Sequence, residues 1–119
     1  MTKVLLAEDD QNMLFLLKTL LTLEGFAVAT VDVHSEDIVA RARAEAPEAI
    51  LMDVHLVNKN GIEILQTMRQ DEHLKNAFVI MASGMDLKER CLAAGANLFL
   101  LKPYMPDDLI NALKQGVTK

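Results

Sequence analysis

Four short apolar runs set the terms on which this chain can fold: Val4 to Ala7, Ala49 to Met52, Phe78 to Ala82 and Leu98 to Leu101. Each is too brief for a helix and rich in β-branched or bulky residues, the pattern of strands buried on both faces. A weaker fifth, Phe26 to Val31, is diluted by Ala and Thr and reads as a sheet edge. Stretches carrying helix start and stop signals lie between the runs. The first covers about Asn12 to Leu23 and stops at Gly25, which is free to take a left-handed turn. The second starts from Ser35, with Glu36 and Asp37 facing the positive end of the helix dipole, and stops before Pro47. A third follows Asn60 and Gly61 to about Gln70, and a fourth runs from Asp86 to Ala94 with Gly95 as its stop. The last opens with Pro106, Asp107 and Asp108 and carries Leu109, Ile110 and Leu113 on one stripe. Strand and helix thus alternate five times. Such alternation calls for an α/β fold, a doubly wound parallel sheet with helices on both faces, because each right-handed crossover returns the chain to the same edge.

The 119 residues leave room for one core, so a single domain spanning 1–119 is expected. Hydrophobic residues at 51% and charged residues at 24% suit a globular chain rather than a disordered or fibrous one. Twelve Lys and Arg against 17 Asp and Glu leave a net charge of -5, which argues against a nucleic-acid partner. Cys91 is the only cysteine and has no intrachain disulfide partner, so a cytoplasmic, reducing location is expected. The longest apolar run, Ala77 to Ala82, is six residues, so no membrane span is expected where about 20 are needed.

In open parallel sheets, ligands bind beyond the carboxyl ends of the strands, so the first polar residues after each apolar run are where chemistry belongs. The first strand runs into Glu8, Asp9 and Asp10, the third into Asp53, the fourth into Ser83, and the fifth into Lys102 and Pro103. Any one of these alone reads as a cap or a solvated turn residue. Together they gather carboxylates that repel one another and that one ammonium does not neutralise. A divalent cation resolves this, and oxygen ligands without a His or Cys pair favour Mg²⁺, which takes one or two carboxylates and keeps waters for a phosphoryl group. A remaining carboxylate beside two cations is suited to attack phosphorus and form an aspartyl phosphate. Asp53 is the best candidate, because it stands alone after the run Ala49 to Met52.

These residues resemble the receiver domain of two-component response regulators along the whole chain. The matching pieces are V-L-L-A-E-D-D at 4–10, I-L-M-D at 50–53, Gly61, V-I-M-A-S at 79–83 and L-F-L-L-K-P at 98–103. The intervals also agree: 44 positions from Asp9 to Asp53 and 30 from Asp53 to Ser83. The resemblance implies a flavodoxin-like (βα)5 fold with strand order 2-1-3-4-5. It implies that Asp53 is the phosphoacceptor and Asp9 a direct Mg²⁺ ligand, with Glu8 holding the ion through water. The backbone carbonyl of His55 would be a further ligand. Lys102, before a cis Pro103, would pair with the phosphoryl group, and Ser83 would donate its hydroxyl to it. Phe99 stands where the family has an aromatic that turns inward on activation. Asp10 reads as a turn residue or helix cap.

The implied function is a switch phosphorylated by a histidine kinase or phosphotransfer protein. Phosphorylation adds roughly -1.5 to -2 charges and three strong acceptors. Ser83 and Lys102 would follow the new oxygens and Phe99 the space they free. The expected readout is the surface of the fourth helix, fifth strand and fifth helix, meeting an unknown downstream protein, with the chain a monomer or weak dimer. It would be no enzyme apart from catalysing its own phosphorylation and dephosphorylation. Such a chain would be either a stand-alone receiver acting by protein contact or a piece of a longer regulator or hybrid kinase.

Three departures from the family pattern bear on loop shape: Val57 for the common Pro, Asn60 for the common Asp, and Gly84 after Ser83. His55 and Met85, two places past Asp53 and Ser83, flank the path of an attacking water. A phosphatase using an aspartyl phosphate would carry a second Asp at the place of His55. A degenerate scaffold would lack part of the site, whereas all of it is present. A flavin-binding protein of similar fold would want a hydroxyl- and glycine-rich loop where Glu8, Asp9 and Asp10 stand. On the first helix, Met13, Leu16, Leu17 and Leu20 form the expected core stripe and Phe15 falls opposite, a candidate docking residue for the phosphodonor.

Overall fold

The computed structural model describes residues 1–117. Five parallel strands form the sheet: β1 (Lys3–Ala7), β2 (Ala27–Thr30), β3 (Ala49–Asp53), β4 (Phe78–Ser83) and β5 (Leu98–Leu101). Their order is β2-β1-β3-β4-β5, as expected. Helices α1 (Gln11–Leu23), α2 (Ile38–Glu45), α3 (Gly61–Arg69), α4 (Lys88–Ala93) and α5 (Pro106–Val117) follow the strands in turn. A small antiparallel hairpin, His55–Leu56 with Lys59–Asn60, lies between β3 and α3.

Successive strand residues point to opposite faces, so each buried strand supplies two apolar layers. Leu5, Ile50, Met52, Val79 and Met81 meet Ile38 and Ala42 of α2, Leu65 and Met68 of α3, and Cys91 of α4. On the other face Val4, Leu6, Leu51 and Ile80 meet Leu17 and Leu21 of α1 with Leu109 and Leu113 of α5. The edge strands β2 and β5 are only partly buried, which explains the diluted sequence of Phe26 to Val31.

Two expectations need correction. Helix α2 begins at Ile38 rather than Ser35, with Asp37 as its N-cap accepting from the Ala40 N–H at 3.1 Å. The Asp32 carboxylate claims the preceding residues for a turn: it accepts from the His34 N–H at 3.0 Å and from the Ser35 hydroxyl at 2.8 Å. Ser35 is thereby spent on a local bond and caps nothing. In α1 the buried stripe is Leu17 and Leu21, and Leu16 is 44% exposed. The helix is rotated because it packs on the sheet and on α5 together.

Candidate functional site

Three segments meet at the carboxyl ends of the central strands. Glu8 and Asp9 follow directly on β1, Asp53 is the last residue of β3, and Lys102 is the first beyond β5. One carboxylate oxygen from each of Glu8, Asp9 and Asp53 lies within 4.8 Å of the others. Glu8 and Asp53 are buried and Asp9 half-buried. The Lys102 Nζ stands 2.9 Å from Asp53 Oδ1 and 3.3 Å from Glu8 Oε1, so one ammonium bridges both buried acids. Its backbone is fixed by the Lys102 N–H donating to the Ser83 carbonyl at 2.8 Å, and the Lys102–Pro103 peptide is cis. Glu8 Oε2 accepts the Asp10 N–H at 3.2 Å, while Asp10 itself caps α1 through the Asn12 and Met13 N–H groups at 3.0 and 3.2 Å.

The electrostatics follow from burying two acids side by side. Burial, and then the adjoining Glu8 carboxylate, push Asp53 up to about 8 against the pull of Lys102. Burial also works to raise Glu8, but the bond from Asp53, the Asp10 N–H and Lys102 outweigh it and hold Glu8 below its ordinary range. The pair therefore keeps one proton between them at neutral pH, with the ammonium insufficient to expel it. For Lys102, burial favours the neutral amine, yet Asp53 and Glu8 prevail and its value is raised.

The remaining expected residues take different places. The Ser83 side chain is buried next to the site, and its hydroxyl accepts the Met85 N–H at 3.0 Å rather than engaging a carboxylate. Phe99 is partly buried against the α2–α3–α4 layer. The His55 side chain is exposed, so the imidazole stays apart from the acids. Its backbone is better placed. The Gly61 N–H donates to the Val54 carbonyl at 2.6 Å, and His55 pairs with Asn60 at the next rung. Rungs of an antiparallel pair alternate between bonded and non-bonded, so His55 occupies a non-bonded rung and the hairpin does not use its carbonyl. Gly61 is required here: a Cβ would fall on the Asp53 carbonyl oxygen. A larger groove lies away from the acids, between the starts of α2 and α3, lined by His34, Ile38, Lys59 and Ile64.

The sequence profile of the response regulator receiver domain matches residues 4–114. The chain belongs to that family. The receiver chain is 32% identical over 115 residues to the transcriptional regulatory protein CpxR of Escherichia coli K12, covering 96% of this chain and 48% of CpxR. It therefore spans about half the length of those curated relatives. With the chemotaxis protein CheY of Thermotoga maritima it shares 27% identity over 116 residues, covering 95% of each. Among solved structures, the receiver domain of the sensor histidine kinase PA1611 from Pseudomonas aeruginosa PAO1 superposes with a TM-score of 0.86 at 26% identity, covering 99% of this chain and 98% of that one. That structure has a magnesium ion coordinated in its active-site cleft. Here the receiver's own donor set, three carboxylates, is all hard oxygen and fits a cation of that kind.

One neighbour of the site escaped the sequence reading. The Tyr104 hydroxyl, two residues past Lys102, is buried without a hydrogen-bond partner. Its signal was available: it is the only tyrosine of the chain and directly follows Lys102-Pro103.

Proposed function

We propose that this receiver is a phosphorylation switch that takes a phosphoryl group on Asp53 from a histidine kinase or phosphotransfer protein. The observation that carries the reading is the Lys102 ammonium 2.9 Å from Asp53, inside a ring of carboxylates that one amine leaves over-charged. Asp9, Asp53 and the His55 carbonyl would hold Mg²⁺ directly, and Glu8 would hold it through water. Bound there, the ion supplies the positive charge that lets the acid pair ionise fully and offsets charge on phosphoryl oxygens.

The chain's own residues do the rest. An Asp53 carboxylate oxygen forms the new bond to phosphorus as the bond to the donor breaks, with the electron pair leaving on the donor's nitrogen or oxygen. Lys102 is already fixed by its N–H to Ser83 and turns its charge to the transferred oxygens. Ser83 exchanges its contact with the Met85 N–H for a donated bond to a phosphoryl oxygen, which draws the β4–α4 loop inward. Phe99 sits on the adjacent strand, only partly buried against the α2–α3–α4 layer. The output face is α4, β5 and α5, where Leu92, Leu101 and Met105 are exposed.

Mass spectrometry after incubation with acetyl phosphate and Mg²⁺ tests the reading. The parent should gain about 80 Da and Asp53→Asn nothing. Equal labelling of both proteins, or of neither, would overturn it.

A further inference from the structure

We infer that Tyr104 is a positioning residue of this site, its hydroxyl engaging the Glu8 side of the acidic pocket through a shared water when a divalent cation is bound. The inference deepens the proposed function and rests on it. The first observation is geometric. The Tyr104 ring packs in the layer formed by α1 and α5, yet its hydroxyl oxygen is enclosed and meets no protein acceptor. A phenylalanine would fill the same apolar space without burying an unmet donor, so packing does not account for the oxygen.

The second observation is position. Tyr104 lies two residues past Lys102, on a segment pinned to the sheet end by the Lys102 N–H donating to the Ser83 carbonyl. Tyr104 packs in the same layer as Leu6 and Leu51, which precede Glu8 and Asp53 by two residues and so share their strand faces, and the charges of both acids add to burial in disfavouring its phenolate. Those acids have acceptor capacity to spare. Glu8 accepts from Lys102 at Oε1 and from the Asp10 N–H at Oε2 and shares a proton with Asp53, three bonds where a carboxylate accepts about four in all. A donor lacking an acceptor thus stands on the sheet face that also carries an acceptor with a site to spare. A hydrated cation such as Mg²⁺ retains waters, and a water shared between Tyr104 and Glu8 would satisfy both and hold the Glu8 carboxylate in one orientation.

The test uses the parent protein first. Tyr104 is the only tyrosine and the chain has no tryptophan, so ultraviolet emission comes from this ring. Titration with Mg²⁺ should change that emission saturably, with the dissociation constant calorimetry reports, and Glu8→Gln should abolish the change. Tyr104→Phe should bind Mg²⁺ about tenfold more weakly, the lower end of what losing an outer-shell partner costs. Its melting temperature should stay the same or rise, because an unmet donor is removed. Unchanged Mg²⁺ affinity in Tyr104→Phe, or silent tyrosine emission in a parent that binds Mg²⁺ and accepts phosphate, would make Tyr104 a packing residue and leave the proposed function standing. A parent that binds no Mg²⁺ would remove both.

Discussion

Asp53 is the residue on which competing demands converge. It ends a strand buried along its whole length, lies against Glu8, and faces a single ammonium. Its carboxyl is consequently pushed up to about 8 by burial first and by Glu8 second, and at pH 7 most molecules hold a proton that a cation must displace. Apparent Mg²⁺ affinity is therefore expected to rise between about pH 6 and 8 and level off above, as the displaced proton disappears from the balance. Calorimetry at pH 7 in two buffers of different ionisation heat should show close to one proton released per ion, and Asp53→Asn should release none. Binding that is independent of buffer would show the pair to be ionised already. Linkage gives a second sign to the same shift. Raised from 3.8, Asp53 binds its proton more tightly folded than unfolded, so this stabilisation is complete below about pH 4. It is lost as pH rises through about 8 in the metal-free protein.

Local elements hold these groups through contacts that differ in how well sequence reveals them. The hairpin between β3 and α3 turns back so closely that the Gly61 N–H meets Val54 at 2.6 Å, and a Cβ on Gly61 would overlap the Asp53 carbonyl. Both groups are backbone, so no rotamer relieves the clash. Gly61→Ala should cost about 1–3 kcal/mol, the usual cost of overpacking, read as a lower urea midpoint, and should weaken Mg²⁺ binding by shifting Asp53. A variant as stable as the parent would show that the hairpin yields freely. Gly61 and the strand-end acids were legible because backbone crowding and charge crowding each demand a particular residue type. The start of α2 was not, since Ser35 and Asp37 are both capable caps, and only the turn in which Asp32 takes the Ser35 hydroxyl leaves the capping to Asp37. Arg69 was invisible for a related reason. Its guanidinium donates to the carbonyls of Leu74, Lys75, Ala77 and Gly95 and to Asn97 Oδ1, tying α3 to the approach of β4 and to the α4–β5 turn. Those acceptors are mostly backbone, and backbone carbonyls carry no residue signature.

At the scale of the molecule, the parallel sheet gathers the chemistry at one end and leaves the helix surfaces to select partners. Helix α1 starts immediately beyond Glu8, Asp9 and its cap Asp10, so its exposed face borders the pocket. That face is uncommonly apolar: Phe15 is 74% and Leu23 77% exposed. Thr19 and Thr22 add to it, because their hydroxyls donate to the Phe15 and Lys18 carbonyls at 2.9 and 2.7 Å and leave their methyl groups as the outward surface. A small phosphodonor needs only the pocket, whereas a protein donor must rest on the surface around it while its phosphoryl group reaches Asp53. Phe15→Ala should therefore leave stability within about 0.5 kcal/mol of the parent, as for other exposed substitutions. Labelling by acetyl phosphate should be unchanged, while transfer from a phosphotransfer protein able to phosphorylate the parent should slow about tenfold, the loss of roughly 1.4 kcal/mol of docking energy. Equal slowing with both donors would place the effect in the pocket instead. Unchanged transfer from the protein donor would remove this face of α1 from the docking surface.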